Sequence, residues 1–69
     1  NKLRNERDKL FNRLRQLEND IALWENNIGF FARTKNAESM IQEVERKIKK
    51  AKEEIVLLEE KIKLIDQLD

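Results

Sequence analysis

The stretch "ENNIGFFARTKNAES", residues 25–39, decides the fold. It contains the only glycine of the chain, Gly29, followed at once by Phe30 and Phe31. It also separates two segments that share one hydrophobic period. Before it, apolar residues recur in alternating steps of three and four: Leu3, Leu10, Leu14, Leu17, Ile21, Trp24 and Ile28, with Arg7 filling the one gap. After it the series runs unbroken through Ala37, Ile41, Val44, Ile48, Ala51, Ile55, Leu58, Ile62 and Ile65. Such steps make a heptad seam. A helix resting on a globular core would drift toward a period of about 3.6 and carry a wider stripe.

Within the quoted stretch, Gly29 suits a left-handed cap closing the first helix. Asn36 suits the N-cap of the second, with Glu38 near the positive end of its dipole. The sequence therefore predicts an all-α antiparallel two-helix coiled-coil hairpin. Its expected parts are a helix over 2–28, a loop over 29–36 and a helix over 37–68, in a single domain 1–69. One continuous helix is the rival, and it would carry Gly29 internally at a cost of about 1 kcal/mol.

Facing residues of an antiparallel pair keep a constant sum of residue numbers. Setting Ile28 against Ala37 brings Trp24 to Ile41, Leu17 to Ile48, Leu10 to Ile55 and Leu3 to Ile62. Arg7 against Leu58 is the one mixed layer. Arg7 is expected to reach solvent, Glu54 or Glu59. One edge then joins opposite charges at Glu6–Lys61, Arg13–Glu54 and Asp20–Lys47, while Glu18, Glu25, Glu38 and Glu45 line an acidic edge. That edge reads as a solvated face rather than a cation site.

Composition bounds the function. The chain has 69 residues, is 42% charged and 39% hydrophobic, and lacks proline; it gets its stability from a helix seam or from association. Its formal net charge is only +1, so the total charge sets up no strong nucleic-acid or membrane field. Cysteine and histidine are both absent, which removes disulfides, thiol chemistry and the commonest general base and zinc ligand. No apolar run approaches the roughly 20 residues that span a bilayer. Ser39 and Thr34 have no base nearby, and one glycine cannot build a phosphate loop. No catalytic residue, cofactor, metal or small-molecule substrate is expected. The absence of an initial Met and of a signal peptide suggests a piece of a longer intracellular protein.

Two features remain. Beside the seam, Val56, Leu57, Leu64 and Leu68 are apolar, and Phe11 lies across from them on the first helix. A helix apolar on most sides needs a second cover. These five residues are the expected partner interface, for a homodimer of hairpins joined at their open ends into a four-helix arrangement or for docking on a parent protein. The alternative is a nucleic-acid-contacting arm, using a mid-hairpin basic girdle of Arg13, Arg15, Arg46, Lys47, Lys49, Lys50 and Lys52. Interleaved Glu45, Glu53 and Glu54 and the lack of aromatic residues among the lysines count against it. At the closed end, Phe30 and Phe31 are expected to fold over the loop as a plug, with an exposed recognition tip as the other reading.

The segments "ERDKL" (6–10), "ENNIGFF" (25–31) and "ERKIKKAKEEI…EEKIKLID" (45–66) resemble the C-terminal tail of a bacterial family of large, charged, all-helical repeat proteins, domain-of-unknown-function family 349. The resemblance covers almost the whole chain, and "ENNIGF" is its most distinctive part. It implies a terminal helical hairpin of a longer cytoplasmic protein, and no activity or catalytic residues.

Overall fold

The structure, a computed structural model, describes residues 2–68 as two long helices, α1 (Lys2–Phe31) and α2 (Glu38–Leu68), folded back on each other. The hairpin is 52 Å long and 14 × 12 Å in section. Its core is the predicted seam. Leu17 and Ile21 of α1 and Ile48, Ala51 and Leu58 of α2 are buried together, with Leu10, Leu14, Trp24, Ile28, Val44 and Ile55 packed around them. Ala37 and Ile62 are buried as well. Among the described residues no polar or charged side chain is buried. The interior of the seam is thus apolar, and covering a large side chain there contributes up to about 1.5–3 kcal/mol.

The joint differs from its expected form. Helix α1 does not stop at Gly29 but continues to Phe31, and Gly29 has no positive φ. The end of α1 is closed by a tight turn instead. Ala32 N–H donates to the Ile28 carbonyl at 2.9 Å, Arg33 N–H to Phe30 at 3.3 Å and Thr34 N–H to Phe31 at 2.9 Å. The Thr34 hydroxyl adds a bond to the same Phe31 carbonyl at 2.8 Å. Carbonyls orphaned at the helix end are satisfied by short-range donors, so no glycine cap is required.

The left-handed residue is Asn36, with φ 63°. Asparagine tolerates this region better than most non-glycine residues. Asn36 is therefore not the N-cap of α2. That position falls to Ala37, whose carbonyl accepts the Ile41 N–H at 2.9 Å. The loop occupies 32–37 instead of 29–36, and α2 begins at Glu38.

Moving the turn later moves the register. The sequence register sets Ile62 beside Leu3, yet Ile62 is only 7% exposed and Leu3 is 39% exposed. It sets Arg7 level with Leu58, yet Arg7 Nε donates to Asp66 Oδ1 at 2.6 Å, about two turns farther along α2. Neither Glu54 nor Glu59 is its partner. Side chains tilt toward the N-terminus of their own helix, so in an antiparallel pair Arg7 and Asp66 lean toward each other. Both observations put later residues of α2 beside the start of α1 than the sequence register does.

Candidate functional site

Two ion pairs tie the helices together and mark the two flanks of the hairpin. On one flank Arg13 grips Glu54 with two bonds, Nε to Oε2 at 2.7 Å and Nη2 to Oε1 at 3.2 Å. This hydrogen bond, with the nearby positive charges of Arg13 and Lys61, holds the Glu54 carboxyl below the usual glutamate range, and Arg13 is raised in turn. On the other flank Arg7 bonds Asp66 and lies over the Phe11 ring, 4.8 Å from its centroid. Of the three cross-helix pairs expected from sequence, only Arg13–Glu54 forms within 4 Å; Glu6 pairs with Lys9 on its own helix at 3.7 Å. The order of charges along the helices allowed the other two, but exposed side chains gain little from closing them.

The expected partner interface divides. Val56, Leu57, Leu64 and Leu68 are 54, 57, 59 and 73% exposed, as an unmet surface requires. They do not share one face with Phe11. Phe11 is half-buried on the Arg7 flank, in a cleft with Leu14, Glu59, Ile62 and Asp66. Val56 is turned about 100° from Leu57, since consecutive helical residues are. It lies in a hollow with Glu45, Ile48, Lys49 and Lys52. In the heptad frame Leu68 repeats the position of Glu54, and Leu57 and Leu64 take the position next to it, so the three form a stripe on the Arg13–Glu54 flank.

Three further residues belong to that flank. In the heptad frame Leu23 and Phe30 take the position next to that of Arg13, as Leu57 and Leu64 do beside Glu54, and Met40 precedes Glu54 by two whole heptads. They are 58, 68 and 49% exposed. Six of the eight exposed large apolar side chains among the described residues thus lie on one flank, Leu3 and Val56 being the exceptions. Leu23, Phe30 and Met40 gather near the closed end, and Leu57, Leu64 and Leu68 near the open end. Sequence reading missed Leu23 and Met40 because it followed the seam and one adjacent cluster. Extending the heptad frame outward to every position would have found them.

The two rings at the closed end differ in exposure. Phe31 is half-buried and lines the closed end with Ala37 and Ile41. Phe30 is exposed, and its ring meets Phe31 edge-on at 5.9 Å and 71°. Adjacent helical residues cannot both face the seam, so extending α1 through Phe31 turns Phe30 outward.

The basic girdle does not converge. Arg15, Arg46, Lys47, Lys49, Lys50 and Lys52 are all exposed, but those of α2 fan around its outer surface instead of lining one groove. Arg13 is already committed to Glu54. No cluster of three or more metal-ligating side chains occurs among the described residues, and no helix is long and apolar enough to cross a membrane. The Thr34 hydroxyl is engaged in the turn.

No family model, curated protein or solved structure matches this chain.

Proposed function

We propose that this hairpin is a non-catalytic structural module that binds other protein surfaces through its Arg13–Glu54 flank. The observation that carries the reading is the collection of six exposed large apolar side chains on that one flank. Scattered surface apolar residues are ordinary in soluble proteins, but apolar residues gathered on one side mark contact surfaces. The resemblance to family 349 accords with a hairpin that serves a longer bacterial, cytoplasmic protein by docking or self-association.

The nucleic-acid reading has less support. Phosphate contact needs cations that converge, and here they diverge among interleaved carboxylates. Two measurements test the proposal together. Binding to mixed-sequence nucleic acid is titrated from low salt upward, with no binding expected. Immobilised chain is then compared with a Leu57→Glu, Leu64→Glu variant of equal helicity, for retention of proteins including added copies of the chain itself. Retention is expected for the unaltered chain and lost in the variant. Equal retention by both, or salt-sensitive nucleic-acid binding, would overturn the proposal.

A further inference from the structure

We draw no further inference here: the strongest candidate, the exposed apolar stripe of Leu23, Phe30, Met40, Leu57, Leu64 and Leu68 on the Arg13–Glu54 flank of the hairpin, carries nothing beyond the docking role already proposed for it, because nothing in the structure shows what covers it.

Discussion

At the scale of single residues, the joint shows how one conformational need can be met away from the residue that advertises it. Gly29 is the only glycine, yet it sits inside α1 with no positive φ, and a Cβ added there meets nothing within 4 Å. A helical glycine with free space costs backbone entropy and returns nothing. Gly29→Ala should therefore raise stability by about 0.5–1 kcal/mol, measured by urea unfolding followed by circular dichroism. A left-handed cap would give the opposite sign, so the experiment separates the two structures of the joint. Asn36 carries the positive φ instead. Asn36→Ala should cost about 1 kcal/mol, because alanine lacks the side chain that eases this conformation, whereas Asn36→Gly should be close to neutral. Equal losses in both variants would place the importance of Asn36 in its side chain rather than its backbone.

At the scale of the helices, periodicity was legible and position along the axis was not. Every buried residue of the core, from Leu17 and Ile21 to Leu58 and Ile62, stands on the seam that alternating steps of three and four define. The turn was harder to place, because the local preferences of Gly29 and Asn36 each had several uses and tertiary packing chose among them. Phe31 continues the α1 seam by one more step, and burying its ring beside Ala37 and Ile41 offsets the weak helix propensity of Gly29. That extension shifts the fold-back point by about two residues and with it the register, the partner of Arg7 and the exposure of Phe30. Burial predicts where the helices are most sensitive. Leu17, 3% exposed, should lose about 3 kcal/mol on change to Ala, whereas Leu57→Ala should alter the stability of the single hairpin by less than about 0.5 kcal/mol. The Arg13–Glu54 clasp adds a pH signature. The carboxyl of Glu54 is depressed in the folded chain by the bond from Arg13, so its contribution is present above the ordinary glutamate range and is lost as pH falls through the depressed value. The melting temperature of the unaltered chain should exceed that of Glu54→Gln slightly at pH 7. The difference should vanish under strongly acidic conditions, and one that persisted there would show the clasp to act by packing instead of charge.

At the scale of the whole molecule, a hairpin only 14 × 12 Å in section leaves each helix with one covered side. Sequence alone raised the need for a second cover and grouped Val56 and, across from it on the first helix, Phe11 with the leucines. Helical phase separates them, and it gathers Leu23, Phe30 and Met40 with Leu57, Leu64 and Leu68. The thermodynamic consequence follows from mass action. A cover that binds the folded hairpin and not the unfolded chain stabilises it in proportion to the logarithm of its concentration. If the cover is a second copy, the melting temperature of the unaltered chain must rise steadily with protein concentration, since most helical stability in proteins comes from packing of an amphipathic face. Leu57→Glu should abolish that rise while leaving the melt at the lowest concentrations nearly unchanged, because Leu57 takes no part in the seam. Differential scanning calorimetry across a hundredfold range of concentration reads both effects. A melting temperature independent of concentration would mean that the flank is covered by something other than this chain.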